Sequence, residues 1–436
     1  MSANSESIPR YLPPTGWHIQ NGFLQIAENA HRQYGDLVWI GQEEEPILLL
    51  AGARHARLLI EQETLFLKEF ESLTSASTVG RIIMGPSLTT SRDGDEWRMA
   101  RKLTAPTVNP RSPRLKAGSQ CAAYWLTSAL SEGGKGSLRE LCLNWALMCV
   151  ADGFFGTGIS QEQLSNMIAH FRQIYLQLIV EAPGMDYEQI VKHPALVAFR
   201  KEVEAIIAPQ IDSAACGNAT MLQRLCLALD VNARREERER VISLLLGNLA
   251  ASVDNTGIAL LWTLTHLSQQ QDYQLQIQEQ ARHGKRSVAL AVVKESLRLT
   301  PVTAFFERTT AEEMVIDGAL IAKGTRVLFS PWLIHRNKAY WDQPLTYNPE
   351  RFLSDAKIPP EHYFPFSIGK RNCVGMTLAL DQLTTAIITF CEHFTFSLAP
   401  DTRPAALKPL FELNVTPRGD IHFILKQNNK VTHHVC

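Results

Sequence analysis

The 436-residue chain has no Cys-x-x-Cys pair. Its eight cysteines, Cys121, Cys142, Cys149, Cys216, Cys226, Cys373, Cys391 and Cys436, are scattered. That spacing argues against a zinc cage or a disulfide framework and makes a reducing cytoplasm the expected compartment. Most of these thiols are expected to act as small buried hydrophobes. No uninterrupted apolar run reaches about 18 residues, so no segment is expected to span a membrane. Residues 1–16, "MSANSESIPRYLPPTG", are polar and then Pro-containing. They lack the basic-then-apolar order of a secretory signal, and no membrane anchor is expected. The formal net charge of −1 leaves no excess of either sign for bulk nucleic-acid or membrane binding. Internal repeats, low-complexity linkers and alternating βαβ units are also missing. What remains is 45% hydrophobic and 20% charged, the make-up of a soluble enzyme-sized protein, read here as one domain over residues 1–436.

The pattern is mainly α with small β-sheets. Two apolar runs, Leu37–Ile40 and Ile47–Leu50, flank a charged turn and read as a hairpin. Helical periodicity dominates from Ala53 to Leu299, interrupted by "GPSLTTSRDG" before a helix that opens near Asp95, and by a loop over Glu181–Pro194. "EERERVISLLLGNLAASVDNTGIALLWTLTHL" is a helix of about thirty residues, beyond the usual 8–20. Its middle is apolar all round, so it is buried, yet it carries Ser252, Asp254, Asn255 and Thr256, which need partners there. After Thr300 come short β-like runs: "EMVIDG", "RVLFS" and "IHFIL".

Four stretches carry chemistry. In "FPFSIGKRNCVGM" a lone Cys373 sits between Gly369 and Gly375, two residues after Arg371 and just before an apolar helical run over Gly375–Ile388. A neighbouring cation and a helix start both favour the thiolate, the form that binds metals, and the glycines allow a bulky group close to the backbone. A buried Cys near a turn is the ordinary alternative. "KESLRL" sets Glu295 and Arg298 three apart, which alone reads as a surface ion pair; "NPERF" adds Arg351 in a Pro-bounded loop, and one glutamate shared by two arginines pins that loop to the helix. "DEWRMARK" places Trp97 and Arg101 on one helix face, where indole N–H and guanidinium both donate to a carboxylate.

The order WxxxR, a polar patch in a long helix, ExxR, PERF and FxxGxRxCxG resembles the cytochrome P-450 family of haem-thiolate monooxygenases. Phe366, Gly369, Arg371, Cys373 and Gly375 all fall on the pattern of that family's cysteine loop, and the resemblance covers nearly the whole chain. It implies a single-domain cytochrome P-450 fold, mainly α, with a long central helix crossing the haem, and heme b (iron protoporphyrin IX) as cofactor. It implies that Cys373 is the proximal thiolate ligand of the iron, with Phe366 packed beside the sulfur and Gly375 completing the loop. Glu295, Arg298 and Arg351 are implied as a buried structural triad. Trp97, Arg101 and Arg371 are implied haem-propionate partners, with Arg308 and His335 as further ones. Such donors offset the desolvation of buried anions.

One departure stands out. Where the family carries a small-Gly-x-acid-Thr run, this chain has "ASVDNT": the acid Asp254 is kept, serine replaces glycine, and Asn255 stands at the alcohol position, followed by Thr256. That leaves haem binding intact and bears on oxygen activation, for which Asp254, Asn255 and Thr256 are the candidate catalytic residues. Three activities follow: a monooxygenase using O2 and two electrons; an isomerase, dehydratase or lyase that rearranges an oxygenated substrate without external electrons; or a non-catalytic haem binder. The retained acid favours the first. By analogy the pocket is lined by the Leu65–Met84 loop, Leu249 to Val253, Val302 to Phe306, and Phe411. Phe305, Phe306 and Phe411 supply aromatic faces for a hydrophobic, small to medium-sized organic substrate. No flavin or iron–sulfur module fits in this length beside the haem domain. Electrons are then expected from a ferredoxin or flavodoxin with its reductase, docking on Lys370, Arg98 and Lys102. The expected setting is a soluble bacterial protein of the cytoplasm, with no nucleic-acid partner.

Overall fold

The computed structural model describes residues 8–13, 22–41, 46–68, 75–132, 136–213, 219–229, 231 and 235–428. Most of the N-terminal segment 1–16, part of the turn at residues 42–45, and Cys216 and Cys436 lie outside these residues. In chain order the helices are α1 Phe23–Tyr34, α2 Ala53–Glu61, α3 Ala76–Met84, α4 Asp95–Thr104, α5 Pro113–Ser131, α6 Leu138–Phe155, α7 Gln161–Glu181, α8 Tyr187–Val191, α9 Pro194–Ser213, α10 Met221–Leu229, α11 Arg235–Leu267, α12 Gln271–Arg282, α13 Ser287–Leu299, α14 Pro331–Ile334 and α15 Met376–His393. The strands are β1 Arg10–Tyr11, β2 Leu37–Ile40, β3 Ile47–Leu50, β4 Phe66–Leu67, β5 Phe306–Thr310, β6 Met314–Ile316, β7 Ala319–Ile321, β8 Arg326–Phe329, β9 Phe394–Leu398, β10 Pro409–Phe411, β11 Val415–Pro417 and β12 Phe423–Gln427.

Contacts group the chain into two units. The first comprises residues 1–70, 294–373 and 409–417. Its centre is a six-stranded sheet in the order β1-β2-β3-β8-β5-β4. The hairpin expected from sequence is there, antiparallel, with Leu37 opposite Leu50 and Ile40 opposite Ile47. All four residues of β3 are buried because both faces of the sheet are covered. Ile47 and Leu49 enter a cluster with Phe23, Ala27 and Trp332, whereas Leu48 and Leu50 enter another with Phe66, Phe329 and Phe364. This is the two-residue alternation of a strand.

The second unit comprises residues 71–293, 374–408 and 418–436. Its axis is α11, 33 residues long and buried along most of its length. Among the described residues it is the one helix long and apolar enough to cross a membrane, and 83% of its most apolar window is buried inside the protein, as suits a core helix. Two glycines let neighbours approach α11. A Cβ at Gly247 would lie 2.2 Å from the Ser87 Cβ, and one at Gly257 would lie 3.0 Å from the Cys142 carbonyl of α6. The stretch Glu181–Pro194, read as a loop, carries α8, whose start is closed by a reciprocal capping box between Asp186 and Gln189. Likewise the Leu65–Met84 stretch holds β4 and α3 around residues 69–74, which lie outside those described.

Candidate active site

The first unit holds the cysteine segment. Cys373 is the only exposed cysteine among the described residues; Cys142, Cys149 and Cys391 are buried, and burial pushes their thiols up. The loop folds back on itself through the Cys373 N–H, which donates to the Phe366 carbonyl at 2.8 Å. Two residues take left-handed backbone conformations to make this turn, Ser367 at φ 64° and Gly369 at φ 70°. Gly369 also lies against the end of α2 and the turn that follows it: an added Cβ would meet the Leu59 carbonyl at 3.5 Å and Glu63 Oε2 at 3.3 Å, and the Glu63 carboxylate accepts from the Lys370 N–H at 2.7 Å. Arg371 follows in the turn, half-buried.

Behind the loop lies a buried charged cluster in the same unit. Glu295 and Arg298, i and i+3 on α13, have fully buried side chains and form a two-point ion pair at 2.7 and 2.8 Å. A helix-surface spacing has become an interior pair, and the reason is the number of other groups it satisfies. Arg298 Nη1 donates to the His335 and Pro344 carbonyls, both at 2.7 Å, and Nη2 to the Thr346 carbonyl at 3.2 Å. All five guanidinium N–H groups are thereby used. The Trp341 ring lies 5.1 Å from the guanidinium. Glu295 Oε1 also accepts from the Asn348 N–H at 2.8 Å, and Arg351 Nε stands 3.5 Å from it. His335 is fully buried. Its Nε2 accepts from the Phe364 N–H at 2.9 Å, and burial pushes its pKa down to about 3.

Arg308, on β5 between β8 and β4, is buried; its Nη1 donates to the Glu307 carbonyl at 2.7 Å. Phe305 and Phe411 pack edge to face at 5.5 Å, and both lie against Phe23, so these two pocket candidates belong to the apolar cluster of α1. Phe306 tilts against Phe364 at 6.3 Å. Phe366 is partly buried.

The second unit carries the other candidates. On α4 the Arg101 guanidinium lies 5.6 Å from the Trp97 ring. The start of that helix is tied to α3 by a two-point pair between Arg81 and Glu96, both contacts at 2.7 Å. Arg98 and Lys102 are exposed, Arg98 pairing with Asp95 at 2.6 Å. On α11, Leu249 and Val253 are buried. Asp254 is buried as well, and it pairs with Arg172 of α7. No local pattern joins positions 82 residues apart, so this partner is not legible from spacing. Asn255 Nδ2 donates to the Ala251 carbonyl at 2.9 Å, one helical turn back. Thr256 is buried. Gly375 is the N-cap of α15, which runs on to His393, beyond the expected end at Ile388.

Each unit supplies donor types that haem b takes: the first an exposed thiol in a glycine-containing turn, the second Arg and Trp side chains suited to carboxylates. A mainly helical fold with small sheets, one long buried helix and an exposed cysteine in a glycine turn agree with the haem-thiolate class that the resemblance implies. The cytochrome P450 family model matches residues 9–422, and the chain belongs to that family. It is a haem-thiolate monooxygenase, an oxidoreductase with haem b as cofactor. Similar proteins include cytochrome P450 3A25 of Mus musculus, 23% identical over 93% of this chain and 88% of that protein. Cytochrome P450 3A18 of Rattus norvegicus is 24% identical over 95% of this chain and 90% of that protein. Cytochrome P450 2U1 of Homo sapiens is 32% identical over a shorter stretch, 41% of this chain and 36% of that protein.

Proposed function

We propose that Cys373 is the thiolate ligand of the haem, and that the enzyme oxidises a hydrophobic, small to medium-sized organic substrate with O2 and two electrons from separate donor proteins. The observation that carries this reading is the exposure of Cys373 at the end of a turn anchored by its own N–H and by Glu63, while the other described cysteines are buried or half-buried. Trp97, Arg101, Arg308 and Arg371 are the propionate partners, and Phe366 flanks the sulfur. Glu295, Arg298 and Arg351 form the support behind the loop. A thiolate-bound haem supplies the activation of O2.

The chain's own contribution to proton handling lies on α11. Asp254 is a buried carboxylate held by Arg172. Next to it, Asn255 has one N–H committed to the Ala251 carbonyl. A carboxamide N–H is far too weakly acidic to transfer its proton, so Asn255 orients a water or a substrate oxygen, and Asp254, Thr256 or a bound water moves the proton. The electron donor is a ferredoxin or flavodoxin with its reductase, for which Lys370, Arg98 and Lys102 offer cations.

The replacement of the usual alcohol by Asn255 favours one competing reading, rearrangement of an oxygenated substrate without electrons. Two measurements decide. The reduced carbonyl complex should show the red-shifted Soret band of thiolate ligation, and Cys373→Ala should lose it; a mutant that keeps the band removes Cys373 from the ligand position. Turnover of an identified substrate should require an electron donor and O2. Full conversion without donor, O2 or peroxide would establish the rearrangement instead.

A further inference from the structure

Hydrogen bonds, linked through short stretches of covalent chain, join the buried ion pair to the cysteine. Glu295 fixes Arg298. Arg298 Nη1 donates to the carbonyl of His335. The imidazole of the same residue accepts from the Phe364 N–H. Phe364 opens the cysteine turn, its carbonyl accepting from the Ser367 N–H at 3.2 Å, and two residues further on the Phe366 carbonyl accepts from the Cys373 N–H. A second contact holds the same point, the Tyr363 hydroxyl donating to the Lys294 carbonyl at 3.0 Å. The rings of Tyr363 and Phe364 lie 5.4 and 5.2 Å from the imidazole, Phe364 edge to face.

An aliphatic side chain would fill the volume of His335. What it could not do is accept a hydrogen bond from a buried backbone N–H, and such donors are almost never left unpaired. Because Nε2 is an acceptor, the ring is neutral and its proton sits on Nδ1. That nitrogen is buried and makes no hydrogen bond of good geometry. The site thus accepts an imperfectly paired Nδ1–H to gain an acceptor at Nε2.

We infer that His335 is a positioning residue for Cys373: clamped through its own carbonyl by Arg298, it holds the Phe364 amide and so fixes where the turn that carries the thiol begins. The inference rests on the reading of Cys373 as the haem ligand, but its mark is distinct, because it requires an acceptor at one ring position and not merely a ring. Glutamine can place its side-chain oxygen close to where Nε2 stands; leucine can fill space but cannot accept.

The test compares the full-length haem-loaded protein with His335→Gln and His335→Leu. In the wild type, nitrogen NMR of the diamagnetic reduced carbonyl complex should show a His335 ring that is neutral from pH 8 down to 5, with its proton on Nδ1. In His335→Leu, hydrogen exchange of the 364–373 segment should quicken about tenfold or more, the scale of one lost buried hydrogen bond. Part of the carbonyl complex should move to the blue-shifted Soret band of a protonated or displaced thiol, and His335→Gln should restore both readouts most of the way. If leucine leaves the Soret band and the exchange unchanged, or if glutamine is as damaging as leucine, the imidazole is packing and the inference fails. If His335→Leu does not fold, the wild-type ring and the glutamine variant decide alone: a proton on Nε2, or a glutamine variant with the thiolate band lost, overturns it. A wild type without the thiolate band would instead refute the ligand reading beneath it.

Discussion

Arg172 gives Asp254 a fixed charge partner inside the second unit. Side-chain exposure is 13% for Arg172 and 3% for Asp254. Charges this far from water are costly to separate: removing one partner of a buried pair typically costs about 3–5 kcal/mol, because the other is left uncompensated. Arg172→Leu should therefore lower the melting temperature clearly, and the double variant Arg172→Leu with Asp254→Asn should recover much of that loss, since no lone carboxylate remains. Both variants should change the chemistry as well. Both should send fewer electrons into product and more into peroxide, measured as donor consumed per product formed. A single variant as stable as the wild type would mean that the pair opens to water and carries little energy.

At the level of elements, the first unit is stitched by a second polar cluster. His31, at the end of α1, lies 2.9 Å from Asp36, which immediately precedes β2. Arg54 of α2 bridges Asp36 and Asp317, the latter in the β6–β7 turn at φ 49°. His55 Nε2 reaches the same Asp317 at 2.9 Å. Four separate elements thus meet on two carboxylates. The hydrogen bond from His31, with help from Arg54, holds the Asp36 carboxyl down to about 2 against the opposing effect of burial. A carboxyl whose folded pKa is depressed contributes stability above its unfolded pKa of about 3.9 and loses it as pH falls through the folded value. The melting temperature should accordingly drop between about pH 4 and pH 2, and Asp36→Asn should start lower at neutral pH but fall less across that window. Parallel pH curves for the two proteins would show that Asp36 contributes nothing through its charge.

For the whole molecule, legibility in the sequence followed the distance between partners. The Cys373 turn, the Glu295–Arg298 spacing and the Trp97–Arg101 face were readable because each closes within ten residues, as were the β2–β3 hairpin and the length of α11. What no spacing could reveal was burial: the same i, i+3 pair is a surface ornament on one helix and the centre of an interior cluster on another. Partners remote in the chain were equally hidden, Arg172 for Asp254 and Phe364 for His335. The α8 helix was a missed local signal, since Asp186 and Gln189 are spaced as a capping box. Arg298 carries one more implication, for the order of assembly. Its acceptors lie between 3 and 48 residues away in the chain, so most of its bonds form only after long loops have closed, and loop closure is slow to be rewarded. Arg298→Lys has three donors where five are used and leaves buried acceptors unpaired, at roughly 1–3 kcal/mol each. If those contacts form after the rate-limiting barrier, the loss should appear as faster unfolding with the refolding rate little changed. The side chain that holds the cysteine support together then acts as a late lock, setting how long the native state lasts rather than how quickly it is reached.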